Sequence, residues 1–190
     1  MEKKKIALHF SIISLIILLA ALSRLIPHPA NFSPIGAMSL FGAAYYAQRK
    51  WAFLIPIASM WISDFILNNV VYSQYFDHLV WFYPGSLWTY ASFVLIALVG
   101  FVFLRKISVA NVIGASLAAS VTFFLVSNFG VWISTAMYAK DWAGLIGCYE
   151  AGVPFFRYTL SGDLIYSGIL FGVFELLKRM IPALNFQKTA

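Results

Sequence analysis

The chain has 190 residues, of which 62% are hydrophobic and only 11% are charged. Soluble domains carry about 25% charged residues, so this composition excludes a water-soluble globular protein and indicates a membrane protein with an apolar, lipid-facing surface. The net charge of +6 comes from small basic groups between hydrophobic runs. This distribution excludes the continuous basic stripe of a nucleic-acid-binding protein.

Hydrophobic runs of membrane-spanning length recur along the whole chain. At roughly 20 residues per span, there is room for six helices and for no separate soluble domain. We therefore predict an all-α polytopic protein with a single transmembrane domain over residues 1–190. The predicted spans are 6–23, 34–48, 51–70, 87–104, 109–128 and 155–177.

Two of these spans need separate comment. The first follows a basic start but precedes no clear cleavage site, so we interpret it as a retained helix rather than a signal peptide. The second covers only about 22 Å at 1.5 Å per residue, which is less than the hydrocarbon core of a bilayer. It is predicted to be tilted into the bundle, to be partly re-entrant, or to extend past Arg49.

Lysine and arginine are unevenly distributed between the two sets of connections. Three of the thirteen fall on one side, namely Arg24, Lys140 and Arg157. The other ten fall on the opposite side: Lys3, Lys4, Lys5, Arg49, Lys50, Arg105, Lys106, Lys178, Arg179 and Lys188. Because cytoplasmic segments are enriched in Lys and Arg, we predict that the N and C termini are cytoplasmic. Six spans satisfy this orientation, whereas five would divide the basic groups between the two sides.

The connections on the predicted outer side are much longer than the cytoplasmic ones. They cover 24–33, 71–86 and roughly 129–154, and they contain most of the prolines and several aromatic residues. Long loops of this composition often carry function, although an aromatic belt at the membrane interface would also place tryptophan here. We favour a binding surface because the aromatic content is one-sided, and its stacking candidates are Trp81, Trp132 and Tyr149.

The segment 24–35 (RLIPHPANFSPI) is the most distinctive of the chain. Its three prolines exclude a helix and fix an extended path. Pro34 is predicted to begin the second span, with Ser33 as its N-cap. Since a helix N-terminus favours anionic or carbonyl groups, His28 and Asn31 are candidates for contact with a ligand. The alternative is a rigid turn whose polar groups only cap the helix.

Two carboxylates fall within the predicted spans. Asp64 and Asp163 are expected at a similar depth, in the outer half of the bilayer. A carboxylate at that depth usually faces the bundle interior or a water-filled cavity. Together with Asn68 and Asn128, they are the polar candidates for a binding cavity. The alternative is a structural pair, either Asp163 with Arg157 or Asp64 with Arg24.

The sequence contains no Walker A, His-Glu-x-x-His, Gly-x-Ser-x-Gly or Cys-x-x-Cys motif. We therefore expect no enzymatic activity and no cofactor. The single cysteine, Cys148, excludes an internal disulfide and is interpreted as a small buried residue. His28, His78 and Cys148 have no spacing typical of a metal site, so no metal is expected. Asn128 and Gly130 are predicted to end the fifth span as C-cap residues.

Three segments carry a resemblance to a known family: 24–35, 127–132 (SNFGVW) and 144–156 (GLIGCYEAGVPFF). They resemble an uncharacterised family of bacterial membrane proteins described as transport proteins. That family is similar to the substrate-binding S components of energy-coupling factor (ECF) transporters. The resemblance implies a multi-pass protein of the bacterial cytoplasmic (inner) membrane, with an outer pocket for a vitamin or a metal ion. It also implies a transmembrane coupling subunit and ATPase subunits as partners.

S components often dock their coupling subunit through an Ala-x-x-x-Ala motif in the first helix. Here the first span lacks a clear copy, and small residues recur every four positions in two other spans: Ser39, Ala43 and Ala47, and Ala110, Gly114 and Ala118. Such faces let helices approach closely. They are predicted either to pack within the bundle or to dock a partner subunit.

The sequence therefore predicts a substrate-binding membrane subunit for uptake of a small vitamin-like solute, energised by separate coupling and ATPase subunits. One alternative is a stand-alone ion-coupled carrier or facilitator in which Asp64 or Asp163 titrates. Another is a structural or assembly protein of the membrane that transports nothing.

Overall fold

The computed structural model describes residues 2–184, and over that range the chain is helical with no strand. The α-helices are α1 (Glu2–Leu22), α2 (Ile35–Tyr45), α3 (Arg49–Ile66), α4 (Ser86–Phe103), α5 (Val109–Ser134) and α6 (Trp142–Met180). A π-helical turn, Leu67–Val71, prolongs α3, and there are short 3-10 turns at Ser23–Leu25, Ser73–Tyr75 and Pro182–Leu184. The predicted all-α class is confirmed. Lys188 and the rest of the predicted cytoplasmic tail after Leu184 lie outside the described residues.

Five of the helices, α1 and α3 to α6, are long and apolar enough to cross a membrane. Their outward faces carry exposed aliphatic side chains such as Leu15, Leu98, Leu125 and Leu176. Helices are suited to lipid because every backbone hydrogen bond is made within the segment. The surface of the bundle is therefore apolar, as the composition predicts for a membrane protein.

The short helix α2 forms the centre of the bundle. Ten of its eleven residues are buried, as expected of a helix that is apolar on all sides. A Cβ added to Gly100 of α4 would lie 2.7 Å from the Cβ of Ala43. The small-residue face of α2, at Ser39 and Ala43, thus packs within the bundle.

The second predicted span, 34–48, is longer than the helix that forms there. At 1.5 Å per residue, α2 covers about 16 Å. Tyr46 and Gln48 then adopt extended backbone before α3 begins at Arg49. The prediction that this helix extends past Arg49 is therefore wrong. The extended residues 46–48 carry the chain the remaining distance to the next helix.

The long connection predicted over 129–154 is also wrong. Helix α5 continues to Ser134 and α6 begins at Trp142, so the connection is only 135–141. The carboxylate of Asp141 accepts a hydrogen bond from the backbone N–H of Gly144 at 2.8 Å and caps α6. Asn128 and Gly130 consequently lie inside α5 and do not cap it. Pro154, expected outside the helix, lies within α6.

The predicted N-cap of α2 is a further correction. The helix begins at Ile35 with Pro34 at the cap position, and Ser33 gives it no side-chain cap. The cap comes instead from α6, where the Asp163 carboxylate accepts hydrogen bonds from the backbone N–H groups of Gly36 and Ala37. An anion at this position is favoured by the exposed amides and the dipole of the helix.

Candidate functional site

A cavity of about 360 Å³ lies at the end of the bundle that carries segments 26–34 and 72–85, here called the loop end. Its volume is in the range of small-molecule sites. Its polar lining includes His28, Asn31, Thr89, Ser127, Asn128 and Thr159. Its aromatic lining consists of Tyr83, Phe123, Phe124, Phe155 and Phe156. The cavity therefore combines flat apolar surfaces with separated hydrogen-bonding groups.

The proline-rich segment 26–34 forms one wall of this cavity. It lies directly against α6, because a Cβ added to Gly162 would be only 3.0 Å from the backbone nitrogen of Ser33. Asn31 has a φ of 64°, a left-handed conformation that asparagine tolerates better than most residues. The prediction that the prolines exclude a helix here is confirmed, and the rigid path brings His28 and Asn31 to the cavity.

An ion pair lies beside this wall. Nη1 of Arg24 donates to Oδ1 of Asp64 at 2.7 Å and to Oγ of Ser63 at 2.6 Å. The Tyr90 hydroxyl donates to the other oxygen of Asp64 at 3.1 Å. The Arg24–Asp64 pair, one of the two structural alternatives predicted for the carboxylates, is confirmed. Arg24 lines the cavity, and Asp64 lies behind it.

The side chain of Arg24 is not fully satisfied by the protein. Its Nε is buried and has no hydrogen-bond partner among the residues that the structure describes. A buried N–H without an acceptor costs about 1–3 kcal/mol.

The second carboxylate, Asp163, is only 1% exposed and lies outside the cavity lining. Besides capping α2, it accepts a hydrogen bond from the Ser120 hydroxyl at 2.7 Å. A Cβ on Gly36 would lie 2.4 Å from the carboxylate oxygen, so glycine is what allows this contact. The alternative pair with Arg157 does not form, because Arg157 contacts the hydroxyl and ring of Tyr158.

Helices α5 and α6 form the opposite wall of the cavity. Nδ2 of Asn128 donates to the carbonyl of Phe124 at 2.8 Å, and its side-chain oxygen lies against Gly152. The rings of Phe124 and Phe156 meet edge to face at 5.2 Å. Cys148 is buried and donates to the Asn128 carbonyl at 3.3 Å. Asn128 is therefore fixed from several sides at the cavity wall.

Segment 72–85 closes the remaining side and is folded onto α3. Asn69 exchanges two hydrogen bonds with the backbone of Val80, at 2.7 and 2.8 Å. The Tyr83 hydroxyl donates to Thr89 at 3.0 Å. Burial raises the pKa of Tyr83 above its ordinary value, and the nearby Asp64 carboxylate raises it further. Tyr83 therefore keeps its proton at neutral pH and remains a donor.

Besides Asp64 and Asp163, four more predicted site residues do not line this cavity. Trp81 stacks on Trp61 with ring centroids 6.2 Å apart, and more than half of its side chain is exposed. Trp132 donates from its indole to the Ala139 carbonyl and fixes the connection 135–141. The Tyr149 hydroxyl donates to the Leu125 carbonyl. Asn68 lies in the π-helical turn after α3.

Of the nine predicted residues, the structure brings His28, Asn31 and Asn128 to the cavity and places Asp64 and Asp163 behind its walls. Within residues 2–184, no three His, Cys, Asp or Glu side chains group to hold a metal ion, so His28, His78 and Cys148 do not converge.

Sequence reasoning missed Thr159 and the four phenylalanines. A usable signal existed, because Ser116 and Ser120 on α5 face Ser167 and Asp163 on α6. Residues four apart lie on one face of a helix. Extending the α6 row by one turn reaches Thr159.

Comparison with curated proteins and with solved structures gave no match. One family model matches residues 4–184, which is nearly the whole chain. The chain therefore belongs to DUF6580, a family of unknown function.

Proposed function

We propose that this chain is the substrate-binding membrane subunit of an uptake system and captures a small vitamin-like solute in the loop-end cavity. The observation that carries the proposal is the lining of that cavity, where amide and hydroxyl groups alternate with phenylalanine rings. A largely apolar pocket with a few placed polar groups is the usual architecture of small-molecule sites. The resemblance to S components of ECF transporters supports the same reading.

The proposed topology has six crossings, with both termini in the cytoplasm of a bacterium and the loop end facing outward. Helix α2 supports the sixth crossing, because Ile35 lines the loop-end cavity while Tyr45 and Ala47 line a cavity at the other end. That other end carries Arg49 and Arg105, which the positive-inside rule assigns to the cytoplasm.

Cysteine labelling in intact cells tests this topology. With Cys148 replaced by serine, His28→Cys is expected to react with a membrane-impermeant thiol reagent added outside, and Gln48→Cys only after the cells are opened. Both positions are exposed. Labelling of both from the same side would overturn the orientation and the outward-facing site.

The chemistry of the cavity narrows the solute class. Arg24 and Asp64 form an internally neutral pair, so the site favours a neutral or weakly polar molecule over a strongly charged one. The phenylalanines suit a flat ring, and Asn128 and Thr159 suit its polar edge.

The binding-subunit reading is preferred to an ion-coupled carrier because both candidate titrating groups have structural partners. Asp64 is paired with Arg24, and Asp163 caps α2. Replacing either carboxylate would therefore disturb the fold as well as any proton transfer.

Energy would come from separate ATPase subunits acting through a transmembrane coupling subunit, since the sequence has no ATP-binding motif. The small-residue row on α5 supports such a partner. Ala110 is exposed, and Gly114 and Ala118 are only half-buried, so a partner helix could approach this face closely.

Native mass spectrometry of the purified full chain tests the proposed function. We expect a small molecule to co-purify with it, and the double variant Asn128→Ala, Thr159→Val to lose that molecule. The matched control is Asn68→Ala, Thr122→Val, which removes the same groups from positions outside the cavity lining. A membrane assembly protein would retain no molecule, and equal loss from both double variants would refute the site.

A further inference from the structure

A second and larger cavity, of about 1210 Å³, lies at the opposite end of the bundle, here called the basic end. Three cationic residues from separate parts of the chain line it: Arg49 at the start of α3, Arg105 after α4, and Lys178 near the end of α6. The fold therefore brings three cationic side chains from distant segments to one cavity. None of the three lines the loop-end cavity.

These positive charges are only partly neutralised by the protein. Lys178 forms an ion pair with Glu175, which also accepts a hydrogen bond from the Tyr45 hydroxyl. The Arg49 guanidinium lies 5.3 Å from the ring centre of Phe101. Among residues 2–184, neither Arg49 nor Arg105 is paired with a carboxylate. The cavity therefore keeps a net positive charge.

The wall of the basic-end cavity that lies nearer the loop end is apolar and continues onto the lipid-facing surface. Leu98 and Val102 line the cavity, and both side chains are about half exposed. From Leu98 to Phe103, where α4 ends, the helix covers about 8 Å, and Arg105 follows two residues later. The small residues Ala43, Ala44 and Gly100 also line the cavity, on its apolar side. The cavity is thus cationic at its rim and apolar deeper in the bundle.

We propose that the basic-end cavity binds an anionic phospholipid, with its phosphate between Arg49 and Arg105 and an acyl chain along Leu98 and Val102. Guanidinium groups bind phosphate through paired, charge-assisted hydrogen bonds. Basic pockets between membrane helices are suited to acidic headgroups. A soluble phosphate would match the cationic rim but leave the apolar wall unused, so the lining favours a lipid. The proposal is independent of the function proposed for the loop end.

The test is native mass spectrometry of the full chain titrated with phosphatidylglycerol or with phosphatidylcholine of the same acyl chains. The wild-type chain is expected to retain phosphatidylglycerol about thirtyfold better, since two basic residues near a membrane surface together contribute about 2 kcal/mol. The variant Arg49→Gln, Arg105→Gln is expected to bring the two lipids within about twofold of each other. Both positions are exposed, so folding is expected to survive.

The matched control is Lys50→Gln, Lys106→Gln. It removes two positive charges from exposed neighbouring positions that do not line the cavity, and it is expected to keep the wild-type preference. If both double variants lost the preference for phosphatidylglycerol equally, general surface charge would explain it and the proposed site would be refuted. Equal retention of both lipids by the wild type would also overturn it. Displacement of phosphatidylglycerol by millimolar inorganic phosphate would assign the rim to a soluble anion instead.

Discussion

The two ends of the bundle treat charge in opposite ways. At the loop end, Arg24 and Asp64 neutralise each other, and the carboxylate of Asp163 is bound by backbone amides of α2. At the basic end, Arg49 and Arg105 are exposed and have no carboxylate partner in the described part of the chain. The charged side chains of the loop end are thus bound by other groups of the protein, whereas the two arginines of the basic end are exposed at the surface.

Because of this difference, mutations that remove a charge are expected to affect stability differently at the two ends. Removing a charge from the loop end leaves a buried partner without compensation, which is costly in a membrane. Removing Arg49 or Arg105 from the basic end is expected to leave the fold intact, because neither side chain has a carboxylate partner among the described residues. Internal pairing therefore fixes the positions of the charged side chains at the loop end.

Breaking the ion pair is expected to have the largest effect. Asp64→Ala leaves the Arg24 guanidinium buried without its carboxylate, and we expect the free energy of unfolding to fall by about 3–5 kcal/mol. An SDS titration of the protein in bicelles, followed by circular dichroism, measures this change.

Two controls show whether charge compensation is the cause. Arg24→Met with Asp64→Leu removes both charges and is expected to recover most of the lost stability. Asp77→Ala, at an exposed position in segment 72–85, is expected to stay within about 0.5 kcal/mol of the wild type. A double variant as unstable as Asp64→Ala would contradict the pairing argument.

The second prediction concerns the contact between α2 and α6. In Gly36→Ala, the new methyl group would lie 2.4 Å from Oδ1 of Asp163, so the carboxylate must leave the backbone amides. We expect a loss of about 1–3 kcal/mol in the same titration. Gly168→Ala on α6 has no atom within 4 Å of its new Cβ and is expected to be neutral or slightly stabilising. Similar losses for both alanines would show that the cap contributes little.

The sequence predicted the helices better than the contacts between them. Spans 6–23, 51–70, 87–104 and 109–128 correspond to α1, α3, α4 and α5, because continuous apolar runs indicate membrane helices directly. The start of α6 was missed because the glycines and proline before Phe155 usually break helices. Here Gly144 and Gly152 lie where α6 passes close to other parts of the chain.

The site was harder to predict than the fold. The Asp163 cap joins residues 127 positions apart, and a local motif does not reveal such a contact. The stacking roles predicted for Trp81 and Trp132 rest on the composition of the loops. Composition does not show which way a side chain points. Asn128 reached the cavity because it lies on the α5 face that meets α6.

A third prediction concerns the attachment of segment 72–85 to α3. Asn69→Ala removes both hydrogen bonds to the backbone of Val80. We expect local opening of the segment to become easier by about 2 kcal/mol, with faster deuterium uptake in peptides from 72–85 by mass spectrometry. The side chain of the adjacent Asn68 has no hydrogen bond to the residues that the structure describes, whereas that of Asn69 has several, so Asn68→Ala is expected to leave uptake unchanged. Faster exchange in Asn68→Ala alone would reverse this assignment.

The prediction with the smallest expected effect concerns the shape of the cavity rather than the stability of the bundle. In Gly152→Ala, the new Cβ would lie 2.4 Å from Oδ1 of Asn128, so the amide must rotate within the cavity wall. Gly147→Ala, five residues earlier on α6, meets nothing within 4 Å. We expect Gly152→Ala to weaken retention of the co-purified solute about tenfold, or about 1.4 kcal/mol, while Gly147→Ala retains it as the wild type does. Native mass spectrometry compares the bound fractions. Undiminished retention in Gly152→Ala would remove Asn128 from the binding site, since a displaced amide could not still position the solute.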